Sequence, residues 1–371
     1  MTARPRTAGG TRLALRLLRR HAYARVGTIV ILALLLVAIF ADLLASQLPV
    51  LCGHEGKVWV LPAVTQPAEL AGTDCDAIAR TPGSWQVRPL VCQGPRAVRT
   101  DVRLAAPFSD PAHPLGTDAS GRDVFARLVH GTRTSLTFAL GAAFAFALVG
   151  SLLGAIAGFR GGALDALLSR VVETMGAFPT LVLALGIQAL VPRPSIFTLL
   201  LAICLTRWAE VFRLVRAEVQ KVATLDYVMA ARALGASPVR VLIHHVGPNA
   251  RGVALMSWAF GIPSVILAEA SLTFLRVGHD PSTASWGEML SEVRDHPAAW
   301  WLLAFPGLLL FATVAAYHVV GEALRDALDP RARSAEPIAA ARPTERLTQL
   351  PPSGPMFESR ARLRAADPKK G

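Results

Sequence analysis

The sequence predicts an all-α polytopic membrane protein with six transmembrane helices and both termini in the cytoplasm. Three observations carry that prediction. The 371 residues are 53% hydrophobic and only 17% charged, with a mean hydropathy of +0.43, too little charge to clothe a soluble domain. Apolar runs long enough to cross a bilayer core of about 30 Å recur six times. The net charge of +12 comes from Lys and Arg that lie between or outside those runs, concentrated on one side, as membrane topology requires. That distribution assigns the basic excess to orientation and argues against a nucleic-acid partner.

The first 25 residues hold seven arginines and no acid, which anchors the N-terminus in the cytoplasm. Val26–Ser46 follows as the first span. A cleaved signal ending near Ser46 is the alternative, but the apolar core of a signal is shorter, about 7–15 residues. Residues 47–112 are polar, rich in Pro and Gly, and read as an exported loop or small subdomain. Cys52, Cys75 and Cys92 fall there and allow at most one internal disulfide. Further spans are expected at Ser135–Phe159, Val171–Val191, Ser195–Val215, Val253–Leu275 and Ala299–Val320. Short outer loops carry little base (Arg193 in one, Arg276 and Arg294 in the other), whereas Arg207–Arg251 holds seven Lys or Arg. The expected organisation is a cytoplasmic arm and first helix (1–46), an exported segment (47–133), a five-helix core (134–322) and a cytoplasmic tail (323–371), disordered from about Ser334.

Signs of enzymatic chemistry are absent. The sequence has no GxxxxGK[ST] phosphate loop and no HExxH, GxSxG or SxxK motif, and no cofactor or metal is expected. His244 and His245 are adjacent, so on a helix they point apart and make a poor metal site. Asp165, Glu173, Arg207, Glu210 and Glu269 sit near the ends of spans, where long side chains can reach water. Glu269 is the deepest, a candidate for the solute path or outer gate together with Trp286, or else a buried interhelical hydrogen-bonding group. Gly150, Gly154 and Gly158 repeat every four residues and mark a face for close helix packing. Pro179, Pro263 and Pro306 each interrupt an apolar run and are expected to bend it.

The stretch Asp226–Asn249, "DYVMAARALGASPVRVLIHHVGPN", is the most informative. Thr224 or Asp226 can cap a short helix there and Pro238 can limit it. Ala230, Ala231 and Ala233 keep that helix thin, and Gly235, about 1 kcal/mol worse than Ala in a helix, points to close approach. Arg232 and Arg240 stand ready to pair with acids on a partner. A surface helix lying on the bilayer is the plainer alternative, but its apolar face is small for that role.

This stretch resembles the EAA loop of ABC importer permeases, whose pattern is EAA, three residues, Gly, nine residues, then I-x-L-P. Ala230, Ala231, Gly235 and Pro248 match in register, while Met229, His245 and Gly247 stand where Glu, Ile and Leu are usual. Four more stretches resemble the dipeptide/oligopeptide/nickel branch of that family: His113–Leu136, Gly158–Pro179, Glu269–Leu290 (with Arg276 in place of a usual Gly) and Gly321–Arg331. The likeness is to the second, C-type, permease of the branch. It implies the type I importer permease fold in the bacterial or archaeal inner membrane and a heterodimer with another permease. It also implies separate ATPase subunits and a solute-binding protein outside. ATP-driven closure would push on Asp226, Ala230, Ala231, Arg232, Gly235 and Pro248, and the spans would rock between two states. A membrane scaffold or sensor that kept the fold, and an intramembrane enzyme, are the competing classes. The three departures favour the first of these, and nothing in the spans offers the facing His or acid pair that the second needs.

Overall fold

The computed structural model describes residues 22–192, 195–277 and 283–328. Arg193 and the tail from Ser334 therefore lie outside the described residues. Residues Met1–Arg325 form one unit. Of the other, Asp326–Gly371, only the end of the last helix is described.

The first span is α1, Ala22–Ile39, followed by a short α2, Ala41–Leu44. Its apolar side chains Val26, Ile29, Leu32 and Leu36 are more than half exposed, the surface that a lipid-facing helix presents. Residues 47–112 are not helical throughout, which corrects the all-α expectation. They fold as a subdomain around a three-stranded antiparallel sheet of order β2-β1-β3, built from β1 (Leu51–His54), β2 (Lys57–Val60) and β3 (Trp85–Val87). Two short helices accompany it, α3 (Pro62–Thr65) and α4 (Cys75–Arg80). Leu48, Cys52, Leu70 and Ile78 form its small core. A core of that size needs a staple, and a Cys75–Cys92 disulfide supplies one, leaving Cys52 as a buried free thiol.

The second span is longer than its apolar run. α5 extends from Val124 to Arg160, 37 residues without a break, and begins ahead of the boundary expected at 133. Asp123 caps it by accepting from the Ala126 N–H at 2.7 Å. Arg133 and His130 on its first turns reach back to the end of α1 and to α2. Arg133 Nε donates to the Ala38 carbonyl at 2.7 Å, its Nη2 pairs with Asp42 at 2.8 Å, and His130 Nε2 lies 2.8 Å from the Ala45 carbonyl. These contacts hold the end of α1 and α2 against α5.

The third run is broken, as Pro179 predicted: α6 (Gly162–Gly176) and α7 (Thr180–Ala189) meet at 88°. Pro263 and Pro306 behave otherwise, lying inside continuous helices. α8 runs Ile196–Ala223. After α9 (Asp226–Ala233) comes a helix that stays continuous from Pro238 to Phe274. It comprises α10 (Pro238–Val241), a π turn (Leu242–Val246) and α11 (Gly247–Phe274). α12 (Trp286–Ser291) packs on α11 and α5, and α13 (Trp301–Leu328) ends the described chain. The two long helices flanking α9 extend into the basic segment Arg207–Arg251, leaving only α9 and its turns between them.

Four of these helices are long and apolar enough to cross a membrane: α1, α5, the Pro238–Phe274 helix and α13. The bent α6–α7 pair makes a fifth if it is one span. α8, expected as the fourth span, is not among them because its inner half carries Arg207, Glu210, Arg213 and Arg216.

The core lies where α5, α8 and α11 meet, with Ala139, Ala142, Ala143 and Phe146 facing Leu199, Ala202, Ile203 and Ile266. The glycine stripe explains how closely α5 and α8 approach. A Cβ on Gly150 would lie 2.5 Å from the Trp208 carbonyl, one on Gly154 would lie 2.6 Å from that of Phe212, and one on Gly158 would lie 2.7 Å from that of Arg216. Where lipid is as apolar as the side chains, such backbone approach and the dispersion contact it allows are what hold helices together.

Candidate coupling surface and outer ion network

One candidate site is built on α9. Its N-cap is Leu225, which offers no side-chain cap. Thr224 instead returns its hydroxyl to the Lys221 carbonyl at the end of α8, so neither expected cap is used. Asp226 stands in the first turn, where a carboxylate favours the helix dipole. Pro238 does not end α9 but opens α10 at its first turn, where its missing N–H costs nothing.

α9 closes in a Schellman turn: the Ala236 N–H bonds the Ala231 carbonyl at 3.1 Å and the Gly235 N–H bonds that of Arg232 at 3.0 Å. Gly235 has φ +81° and an added Cβ there would meet nothing within 4 Å. Within this chain its glycine serves the left-handed backbone of that turn. Only Val228 of α9 is buried. Tyr227, Met229 and Leu234 are exposed, Leu234 at 89%, as are Val239 and Ile243 just beyond. Ala230 and Ala231 sit among them, and Arg232 and Arg240 frame them. The result is a shallow apolar surface with basic edges.

Beneath that surface lies the inner end of α5. The Arg232 guanidinium stacks over the Phe159 ring at 5.0 Å. One residue earlier, Gly158 meets Arg216 of α8, and Arg216 forms a two-pronged pair with Asp165 of α6 at 2.5 and 2.6 Å. Asp165 was noted in the sequence only as a membrane-end acid, and its partner was not seen. Pro248 and Gly247 stand at the start of α11. An added Cβ on Gly247 would lie 3.0 Å from the Leu242 carbonyl, which accepts the Gly247 N–H across the π turn.

At the opposite end of α5 lies a buried network that the sequence did not reveal. Asp118 accepts from the Ser120 and Arg122 N–H groups at 2.8 and 2.9 Å and from Arg122 Nε at 2.6 Å. Arg127, fully buried, pairs with Asp118, Glu288 and Glu292, while Arg122 Nη2 reaches Glu292 at 2.9 Å. Two guanidinium groups thus bind three carboxylates and tie the segment before α5 to α12. Beside them, His113 Nδ1 lies 2.8 Å from Asp123, both buried. Burial pushes the Asp123 carboxyl up, against the bonds from His113 and Ala126.

Glu269 and Trp286, the candidates for a path or outer gate, are buried at this outer end. Glu269 of α11 is buried, and neither of its carboxylate oxygens has a hydrogen-bond partner among the described residues. Trp286 packs against Gly131, and its backbone N–H lies 3.4 Å from Ser135 Oγ. Both are placed between helices here, and neither lines the cavity of about 520 Å³ between the exported subdomain and α5.

Comparison with known proteins resolves the identity of this arrangement. Residues 150–334 match the binding-protein-dependent transport system inner membrane component family, and residues 11–50 match the N-terminal transmembrane domain of oligopeptide transport permease C. The oligopeptide transport system permease protein OppC of Bacillus subtilis is 36% identical over 60% of this chain and 72% of its own length. A putative peptide transport system permease protein of Brucella suis is 37% identical over 66% and 81%. The di/tripeptide transport system permease protein DppC of Pseudomonas aeruginosa is 38% identical over 60% and 73%.

The chain belongs to this family. It is a transport permease of the inner membrane and not an enzyme. The permease match covers Gly150, Gly154, Gly158, the whole of α9 to Pro248, Glu269 and Trp286. Between the two family matches lie residues 51–149, which hold the disulfide-stapled subdomain and the Asp118–Arg127 half of the outer network.

Proposed function

We propose that this permease is one half of a heterodimeric, ATP-driven importer of peptides or similar small solutes, with the exposed surface of α9 as its docking site for separate ATPase subunits. The peptide class rests on the names of its relatives. The observation that carries the coupling role is α9 itself, a thin helix standing between two long ones, with Met229 and Leu234 exposed on it and its turn, Val239 exposed just beyond, and the basic Arg232 and Arg240 in the same stretch. Apolar area rimmed by charge is the composition of a protein interface. A solute-binding protein would deliver solute at the opposite face.

In this reading α1, α5, the α6–α7 pair, α8, the α11 helix and α13 are six spans of a type I importer fold. Both termini, α9 and the basic inner loops are cytoplasmic. The Cys75–Cys92 disulfide supports an oxidising outer compartment for residues 47–112. α8 carries its charges at the cytoplasmic end, where Arg216 finds Asp165.

Gly235 tests the coupling role. Gly235→Val forces a side chain into left-handed backbone at a cost of about 1–2 kcal/mol, whereas Gly235→Asn keeps the turn. With the permease co-expressed and co-purified with its ATPases, the Val variant should reach the membrane and lose coupled hydrolysis and uptake, and the Asn variant should retain them. Full coupled uptake by Gly235→Val, or a chain that purifies with no ATPase bound, would overturn the assignment.

A further inference from the structure

We propose that Tyr227 and Asn249 form a hydrogen-bonded joint that makes α9 and the π turn of the following helix move as one body, so that a push on α9 is delivered to α11. The proposal rests on α9 being the surface on which the ATPases act.

Pro248 has no N–H for the carbonyl of His244 and its ring crowds that position. The helix answers by re-registering as a π turn, Leu242–Val246, in which the Gly247 N–H bonds Leu242. A π turn is a place where a helix ladder is slack, and such turns gather at working sites. Left alone, it would let α10 and α11 bend independently.

The side chains around it remove that freedom. The Tyr227 hydroxyl donates to the His245 carbonyl at 3.2 Å, and Asn249 Nδ2 lies 3.2 Å from the same carbonyl and 3.0 Å from Tyr227 Oη. Three groups from α9, the π turn and the first turn of α11 thus close on one another. Val228, the buried residue of α9, belongs to the same core cluster as Val241, just before the turn, and Val246, the turn's last residue. Tyr227 and Val228 are successive residues of α9. Tyr227 and Asn249 are exposed, so their bonds compete with water. Their value is in fixing direction, and they act as positioning residues.

Two arms test this. First, the full chain alone in nanodiscs, with Cys52 and Cys204 replaced by Ser, carries spin labels at Ala233→Cys on α9 and Leu255→Cys on α11. The wild-type distance distribution should be narrow. Tyr227→Phe and the double variant should broaden it to the same extent, because each removes both bonds that α9 makes, and Asn249→Asp should broaden it less, since the Tyr227–His245 bond stays. Second, the same pair is read in the assembled importer with and without ATP and vanadate. The wild-type distance should hold to within about 1 Å, and the variants should shift by about 3 Å or more, between a small interface shift and a one-turn slip. The variants should still bind ATPases as the wild type does. A wild-type distance that itself shifts with nucleotide, or variants that keep the wild-type distribution in the chain alone, would overturn the joint. If the first arm behaves as expected but nucleotide affects no variant and Gly235→Val leaves hydrolysis unchanged, the docking role of α9 has failed, and with it transmission through the joint.

Discussion

Replacing Arg127 should be the most damaging single change at the outer face. Arg127 and Asp118 are each 0% exposed, and Arg127 pairs with Asp118, Glu288 and Glu292 together. Arg127→Met keeps the bulk but leaves three carboxylates facing Arg122 alone, raising the net charge of the cluster from −1 to −2. Breaking a buried ion pair by removing one partner costs about 3–5 kcal/mol. At about 2–4 °C per kcal/mol for a chain of this order, melting should fall by upward of about 6 °C. The assay is thermal unfolding in mild detergent, followed by size-exclusion of the fluorescently tagged protein. Adding Glu288→Gln to Arg127→Met removes one of the orphaned charges and should recover part of the loss. If Arg127→Met melts within about 1 °C of the wild type, or the double variant is no better than the single, the network is not the staple derived from its geometry.

Other outcomes follow from features already described. Gly154→Leu must push α5 off α8, since even its Cβ would lie 2.6 Å from the Phe212 carbonyl, and should destabilise by about 1–3 kcal/mol or more. Gly141→Ala, where an added Cβ meets nothing within 4 Å, should be neutral or stabilise by up to about 1 kcal/mol, and comparing the two melting temperatures checks both. Cys75→Ser opens the staple across a separation of 17 residues and should cost the exported subdomain about 3 kcal/mol, seen as faster cleavage of residues 47–112 by protease added outside. Burial pushes the Cys52 thiol above its ordinary value, so the thiolate is suppressed. Iodoacetamide at pH 8 should label Cys52 slowly in the folded protein and quickly after denaturation, as read by mass spectrometry.

How much was legible follows from which forces are local. The apolar run Val26–Ser46 and the bend at Pro179 could be read directly, because length, hydrophobicity and a missing N–H act where they stand. The start of α5 could not. Arg127, His130 and Arg133 made Val124–Thr134 look like loop, yet their partners are Glu292, far along the chain, and the carbonyls of Ala45 and Ala38. α8 was expected from apolar Ser195–Val215 alone, whereas it continues to Ala223 with Arg216 paired to Asp165. The left-handed turn at Gly235 (φ +81°) could not be read, since composition cannot separate a crowded glycine from a left-handed one. The sheet of the exported subdomain was hidden by short strands, three or four residues each, too brief for a period to register. The Tyr227–Asn249 pair left no sequence signal beyond two polar residues either side of Pro238.

The uninterrupted length of α5 has a mechanical consequence. At 1.5 Å per residue its 37 residues make a rod about 55 Å long, well beyond the roughly 30 Å of hydrocarbon. One end is gripped by the Arg127 cluster and the other lies under Arg232. Pivoted near its middle, a tilt of only about 5° swings each tip by about 2.4 Å in opposite directions, of the order of the helix shifts that switch packed interfaces. A small displacement at the Arg232 end would therefore arrive at the Arg127 end with its size kept and its sign reversed, with no relay of intermediate contacts needed.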